Sequence, residues 1–215
     1  MLKIDLHSHS YGSHDGCLSS SDIAKILTSG RLNVIAITDH DHIETAKKLQ
    51  AEFGDHIIIG EEITTSQGEI IGLYLDKLVE PGQTALATTR AIKAQGGLVY
   101  VPHPFDRRRR SGLSLEVLEQ IKPNVDIIET CNGRDYFSHH AKQAQVWAKQ
   151  NNVAQAYSSD SHGPIGWGKT YSLIEQTPST DNLVTQLKHA EYGNGRVGLM
   201  GLLYPAINRW RGRRG

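Results

Sequence analysis

Cysteine is scarce in this sequence, which contains only Cys17 and Cys131. Two cysteines cannot build the disulfide framework that holds many small secreted domains together, and such scarcity is typical of proteins in a reducing compartment. The N-terminus also lacks the basic segment and the following apolar segment of a signal peptide. We therefore expect a cytoplasmic protein.

Long apolar runs and an excess of charge of one sign are missing as well. No apolar run approaches the ~18 residues that a membrane-spanning helix needs, so we expect no membrane span. Lys and Arg together number 23, as do Asp and Glu, which gives a formal net charge of zero. This balance argues against a protein whose main task is to coat nucleic acid or anionic membrane, although a local basic patch remains compatible with it.

Regular alternation of strand-like and helical patterns dominates the 215 residues, which are enough for one domain with a full core. A β-rich run such as "NVIAIT" is followed by a helical pattern such as "IETAKKLQAEFG", and such units recur six or seven times. This order predicts an α/β protein with a parallel sheet covered by helices, and the number of units favours a barrel. We predict a single domain over residues 1–204 and a basic, flexible tail over residues 205–215.

Histidine is abundant, with eleven residues, and many of the metal-competent side chains follow the predicted strands directly. These strand-end side chains are His7, His9, Asp39, His40, Glu61, Glu62, His103, Glu129, Cys131, Asp160 and His162. In a βα barrel the C-terminal ends of the strands share one face, so these side chains should meet there. Nitrogen and carboxylate ligands suit zinc, manganese or iron. Eight or so ligands exceed the needs of one ion, so we expect two or three.

Two short stretches refine the ligand set. In "HSH", His7 and His9 are two residues apart, and a β conformation points both side chains to one side. In "TDHDH" we favour His40 as a ligand, with Asp39 and His42 as candidate catalytic groups. The alternatives are that Asp39 holds an imidazole from behind and that His42 is a surface or helix-capping residue.

The ordered motifs "DLHSHS", "HDG", "ITDHD", "GEEIT", "VPHP" and "SSDSHG" resemble those of the PHP superfamily, the polymerase and histidinol phosphatase domains. The resemblance runs from about Leu2 to Gly168. It implies a distorted (β/α)7, TIM-like barrel whose two or three metal ions serve phosphoester hydrolysis. The implied metal ligands are His7, His9, Asp15, His40, Glu62 (as the bridging carboxylate), His103, Asp160 and His162.

This sequence departs from the PHP pattern at one place. Many relatives carry His just before the apolar pair of "HILG", whereas this chain has Glu69 in "EIIG". Glu69 is therefore a candidate metal ligand, with a solvated strand position as its alternative. His14 is the alternative to Asp15 within "HDG", because the two residues are neighbours and the pattern alone does not separate them.

Arginines follow two of the predicted strand ends. The stretch "HPFDRRRRSG" places Arg107 and Arg108 just after His103, and "CNGR" contributes Arg134. Because guanidinium groups bind phosphate bidentately, these three arginines are candidate substrate-binding residues, although a charge run is often only a solvated loop.

Together these features predict a metal-dependent phosphoesterase. We expect it to hydrolyse a phosphomonoester of a small molecule, such as a nucleotide or a sugar phosphate, with a metal-activated water. One alternative is an exonuclease or oligonucleotide phosphodiesterase that uses the same site. Another is a non-catalytic, metal-stabilised module.

Overall fold

The computed structural model describes residues 1–106, 112–136 and 138–212. Over these residues the chain forms nine strands and seven α-helices. The strands are β1 (Leu2–Asp5), β2 (Val34–Ile37), β3 (Ile57–Thr65), β4 (Gly68–Leu73), β5 (Leu98–Val101), β6 (Ile127–Asn132), β7 (Ala154–Ser158), β8 (Thr170–Ile174) and β9 (Glu191–Asn194). The helices are α1 (Ser20–Thr28), α2 (Glu44–Phe53), α3 (Ala85–Ala94), α4 (Leu115–Ile121), α5 (Ser138–Asn151), α6 (Leu183–Leu187) and α7 (Gly198–Gly212).

All nine strands belong to one mixed sheet in the order β7-β6-β5-β4-β3-β2-β1-β8-β9. The pairs β1/β2, β2/β3, β5/β6 and β6/β7 are parallel, as the sequence predicts. β4 instead runs antiparallel to both β3 and β5, because the short turn after Thr65 folds the chain straight back. The predicted α/β barrel class is confirmed, and the reversed β4 together with the added β8 and β9 makes it irregular.

The curved sheet closes only at one end. Beyond the ends of β1 and β7, a parallel bridge joins Ser8 to Ser161. The amide of Asp160 donates to the carbonyl of His7 at 2.9 Å, and the amide of His9 donates to the carbonyl of Ser161 at 2.8 Å. At the opposite end β8 pairs antiparallel with β1. The sheet is therefore a nearly closed barrel whose closed rim carries the first and last predicted ligand motifs.

Alternation along the strands divides the core into an inner and an outer layer. On β2, Val34 and Ala36 join an inner cluster that collects apolar side chains from β1 to β8. Ile35 and Ile37 point the other way and pack with residues of α1 and α2, such as Ile23 and Leu49. This two-sided burial explains why the strand is apolar throughout rather than alternating in polarity.

The C-terminal segment differs from the sequence-based prediction. The predicted boundary at residue 204 falls inside α7, so residues 205–212 are helical rather than an extension without structure. The reason is that α7 packs on the barrel: the ring of Tyr204 lies against Gly163, and the buried Asn208 donates to the carbonyls of Asp15 and His162. Within the described part of the chain, no helix is both long and apolar enough to cross a membrane.

Candidate metal centre

Nine sequence-predicted ligands converge at the closed rim of the barrel. They are His7, His9, Asp15, His40, Glu62, Glu69, His103, Asp160 and His162. Most of them follow a parallel strand, as expected, whereas Glu69 lies near the beginning of β4. Because β4 is antiparallel, its first residues lie beside the last residues of β3, and Glu69 pairs with Thr64. The β3–β4 hairpin thus places the first residues of β4 at the rim, where the other ligands come from the C-terminal ends of strands.

Glu62 lies at the centre of one half of the cluster. Its Oε2 is 3.3 Å from Nε2 of His7 and 3.1 Å from Nε2 of His9. Its Oε1 is 3.0 Å from Nε2 of His103. Nε2 of His7 and Nε2 of His9 are themselves only 3.2 Å apart, and Oδ1 of Asp160 lies 3.7 Å from each of them. The "HSH" pair therefore points both rings to one side, as the β periodicity predicts.

Asp15 organises the other half. Its Oδ2 is 3.5 Å from Nε2 of His162, and its Oδ1 is 3.9 Å from Nε2 of His40. The rings of His9 and His162 stack with centroids 4.1 Å apart. Asp15 is buried, whereas the His14 side chain is 63% exposed and lies at the mouth of the pocket. The geometry therefore favours Asp15 over His14 as the residue that joins the cluster.

Glu69 reaches the cluster from the side. Its Oε2 is 3.6 Å from Nε2 of His103, and its Oε1 is 3.9 Å from Nδ1 of His40. Only 13% of its side chain is exposed. Glu69 thus faces the imidazoles rather than solvent, which disfavours the alternative of a solvated strand position.

The donor set fits bound divalent cations. Ligand atoms within 4.8 Å of one another form three overlapping groups: His9, Asp15, His40 and His162; His7, Glu62 and His103; and His7, His9 and Asp160. Buried carboxylates are costly unless cations compensate them, and four carboxylates meet here. Imidazole nitrogen with carboxylate oxygen is the combination that zinc, manganese and iron accept.

The protonation of the imidazoles agrees with this reading. Burial lowers the pKa of His9 well below its ordinary value and lowers the pKa of His162 as well, so these rings are neutral and can offer a lone pair. Burial also opposes charge on His7, but Glu62, Asp160 and Glu129 raise the pKa of His7 well above its ordinary value. The surplus negative charge of the cluster thus favours positive charge at this position, which a proton on His7 or a bound metal ion can supply.

Glu129 supports the cluster from behind. Its Oε1 accepts from Nδ1 of His7 at 3.2 Å and from the hydroxyl of Tyr100 at 2.9 Å. Its Oε2 accepts from the amide of His103 at 2.6 Å and from Nδ2 of Asn132 at 2.9 Å. A carboxylate on Nδ1 fixes the tautomer in which Nε2 of His7 carries the lone pair. The contacts of Glu129 are those of a residue that orients the cluster from behind.

A pocket of about 750 Å³ opens above the cluster. Arg134 lines it, with Nη1 3.4 Å from Oδ1 of Asp160 and 3.2 Å from Nδ1 of His162. Its buried Nε has no hydrogen-bond partner among the described residues. The other two predicted substrate-binding residues are Arg107 and Arg108. Both lie outside the described residues.

Comparison with known proteins gives this fold a context. No family model matches the chain. An uncharacterized protein of Methanocaldococcus jannaschii is 38% identical over 117 residues, which cover 48% of this chain and 68% of that protein. A two-domain Bacteroides vulgatus protein containing a predicted PHP-like metal-dependent phosphoesterase superposes with a TM-score of 0.73 at 21% identity, over 97% of this chain and 69% of that one. The chain shares the fold of this PHP-like protein.

Two further similar proteins carry names of different hydrolases. A 5′-3′ exoribonuclease of Haemophilus influenzae is 40% identical over 91 residues, but these are only 39% of this chain and 32% of the exoribonuclease. An amidohydrolase from Chromobacterium violaceum superposes with a TM-score of 0.60 at 17% identity, over 82% of this chain and 92% of that chain. The superposition on the amidohydrolase shows a shared fold, and neither match identifies the substrate of this chain.

Two residues predicted to be catalytic, Asp39 and His42, are not among the described residues that line the pocket, and both catalytic predictions need correction. Asp39 accepts from the amide of Ser10 at 2.6 Å and from its hydroxyl at 2.5 Å. It therefore holds the backbone after His9 rather than an imidazole. His42 contacts the first turn of α2, where the amide of Thr45 donates to its Nε2 at 3.2 Å. Its role is that of a helix-capping residue.

Helix α7 also contributes to the site, which was not predicted from the sequence. Leu202, Pro205 and Arg209 line the pocket, and Nη1 of Arg209 is 3.0 Å from Oδ2 of Asp15. The arginine-rich composition of this segment suggested disorder. The helical spacing of these three residues, i, i+3 and i+7, was the signal that could have revealed a face directed at the site.

Proposed function

We propose that this protein is a metal-dependent phosphoesterase that hydrolyses a phosphomonoester of a small molecule, such as a nucleotide or a sugar phosphate. The observation that carries the proposal is that the buried imidazole–carboxylate cluster shares one pocket with the guanidinium of Arg134. Ligands for hard or borderline cations beside a phosphate-binding group are the two components that phosphoester hydrolysis requires.

The nine converging side chains are the proposed ligands of two or three ions of manganese, iron or zinc. Three overlapping ligand groups support a site with more than one ion, and Glu62 is the proposed bridging carboxylate, because its two oxygens contact different imidazoles. Bound ions would supply the chemistry of lowering the pKa of water near neutral pH and of neutralising phosphoryl charge.

The chain's own residues provide orientation and charge. Arg134 is proposed to donate to phosphoryl oxygens, since it lines the pocket and its buried Nε has no hydrogen-bond partner within the described part of the chain. Glu129 keeps Nε2 of His7 directed at the cluster. Asp39 anchors Ser10 and thereby the backbone that carries His9. These residues hold the site in one arrangement before substrate arrives, which limits the reorganisation needed during reaction.

The decisive experiment combines metal analysis with a panel of phosphoesters. Protein treated with chelator should be inactive, and added Mn²⁺, Fe²⁺ or Zn²⁺ should restore hydrolysis of at least one phosphomonoester. A folded variant with His7→Ala and Asp160→Asn should neither bind the ions nor turn over. Full activity in that variant would exclude this site. Bound ions without turnover of any phosphoester would instead favour a non-catalytic, metal-stabilised module.

The second candidate is an exonuclease or oligonucleotide phosphodiesterase. The 40% identity to part of a 5′-3′ exoribonuclease favours it, although the match spans only a third of that enzyme. Equimolar 5′-nucleotides and short RNA and DNA oligonucleotides, offered side by side to the metal-loaded protein, separate the two candidates. Release of mononucleotides from oligonucleotides at a higher kcat/KM than phosphate release from mononucleotides would replace the first proposal by the second.

A further inference from the structure

Helix α7 presents one face to the barrel and another to the pocket. Gly201, Tyr204 and Asn208 form the docking face: Gly201 lies close to the carbonyl of Ile165, Tyr204 packs on Gly163, and Asn208 donates to the carbonyl of Asp15 at 2.8 Å. The neighbouring face, with Leu202, Pro205 and Arg209, lines the pocket. The docking contacts thus fix the rotation of the helix that directs Arg209 toward the cluster.

Arg209 and Arg134 have equivalent relations to the cluster. Arg209 donates from Nη1 to Oδ2 of Asp15 at 3.0 Å, and Arg134 donates from Nη1 to Oδ1 of Asp160 at 3.4 Å. His162 lies between these two carboxylates, with Nε2 3.5 Å from Asp15 and Nδ1 3.4 Å from Asp160. Two guanidinium groups therefore approach the same corner of the pocket from different segments of the chain.

The pair formed by Arg209 and Asp15 has a consequence for cation binding. Oδ2 of Asp15 faces both the guanidinium and the imidazole of His162, so the oxygen that would coordinate an ion is engaged by a side-chain cation. The side chain of Arg209 is 46% exposed, whereas Asp15 is buried. Arg209 can therefore move away into the pocket, while Asp15 has no such freedom.

We propose that Arg209 is a phosphate-binding residue whose guanidinium occupies Asp15 when no ion is bound there and turns to the substrate phosphate when an ion takes its place. It acts with Arg134, which approaches from the other side of His162. The inference rests on the proposed metal-dependent phosphoesterase function. It adds a residue from the C-terminal helix to the phosphate-binding group and couples that residue to occupancy of the Asp15 subsite.

Two opposite effects of one substitution test the proposal. Arg209→Gln should tighten Mn²⁺ binding to chelator-treated protein by about two- to fivefold, the range expected for removing a competing, partly exposed ion pair. The same variant, loaded with Mn²⁺, should bind inorganic phosphate about tenfold more weakly, since a charge-assisted hydrogen bond is lost. Calorimetric titration of Mn²⁺ and the inhibition constant of inorganic phosphate provide these two values.

Matched variants complete the design. Arg211→Gln removes the same charge from an exposed position two residues along the helix and should change neither value. Arg209→Lys should restore part of the phosphate affinity, because the cation is kept and the bidentate geometry is lost. An unchanged Mn²⁺ affinity or an unchanged phosphate affinity in Arg209→Gln would overturn the inference. A wild-type protein that binds none of Mn²⁺, Fe²⁺ and Zn²⁺ would instead overturn the proposed function.

Discussion

Nδ1 of His7 lies 3.2 Å from Oε1 of Glu129, and both side chains are fully buried. This contact determines which nitrogen of His7 is available to the pocket, because Nδ1 can only donate to a carboxylate. The same carboxylate accepts from the backbone amide of His103, another of the proposed ligands. Glu129 thereby fixes the orientation of two ligand positions at once.

Glu129→Gln should consequently weaken metal binding without unfolding the protein. We expect a loss of about ten- to a hundredfold in Mn²⁺ affinity, the usual effect of altering a residue that orients a metal ligand. Calorimetric titration measures the affinity, and the circular dichroism spectrum monitors the fold. Glu116→Gln, an exposed position in α4, is the control. Equal affinities in the two variants would remove Glu129 from its supporting role.

Glu61 precedes Glu62 and points away from the cluster, as strand alternation requires. It accepts from the amide of Val79 at 2.9 Å, while its Oε1 has no hydrogen-bond partner among the described residues. Burial raises the pKa of this carboxyl from 4.5 to about 7. Between about pH 4.5 and about pH 7, the folded protein therefore keeps the Glu61 carboxyl protonated, whereas the unfolded chain has released this proton.

The sign of the resulting pH dependence follows from linkage. The folded-state pKa of Glu61 exceeds the unfolded one, so stability falls as pH rises from about 4.5 through about 7. Glu61→Gln mimics the protonated form and should lack this loss. We expect it to be more stable than the wild type by on the order of 2 kcal/mol at about pH 8, and similar to it at about pH 4. Urea unfolding across this range measures the difference, which should not appear in Glu116→Gln.

Substitutions of His40 and His42 test the two roles separately: His40 as a proposed metal ligand and His42 as a residue that caps α2. His42→Ala should cost about 1 kcal/mol of stability, since the first turn of α2 loses its contact with the Thr45 amide, and should leave metal binding unchanged. His40→Ala should reduce the number or affinity of bound ions. Thermal unfolding and elemental analysis distinguish the two. Loss of bound metal in His42→Ala would restore His42 to the site.

Substitution of Asn208 tests whether the docking of α7 depends on the hydrogen bonds of this side chain. Asn208→Ala leaves the buried carbonyl of Asp15 without its side-chain donor, which we expect to cost about 1–3 kcal/mol. Amide hydrogen exchange in residues 198–212 should accelerate, while exchange in β1 to β3 should not. Asn194→Ala, exposed at the end of β9, should leave exchange in α7 unchanged. Unchanged protection of α7 in Asn208→Ala would show that the apolar contacts alone dock the helix.

The sequence predicted most of the rim because strand ends are recognisable from local patterns. His7, His9 and His103 follow apolar runs directly, and β–α alternation implies that such positions meet. The direction of Asp39 was not predictable, because it depends on the approach of Ser10 from a different strand end. The same is true of Arg209, whose composition suggested a solvated tail, while its position follows from the long-range contacts of Asn208 and Tyr204.

The bridge between Ser8 and Ser161 also determines when the metal centre can form. It closes the barrel between segments about 150 positions apart, as the hydrogen bond between Ser159 and Asp5 across 154 positions illustrates. Bringing such distant segments together carries the largest loop-closure entropy and comes late in folding. A growing chain that has not yet reached β7 holds His7 and His9 without Asp160 and His162. The proposed cation site is therefore complete only when the barrel is closed, and an ion bound there would stabilise the closed chain over the open one.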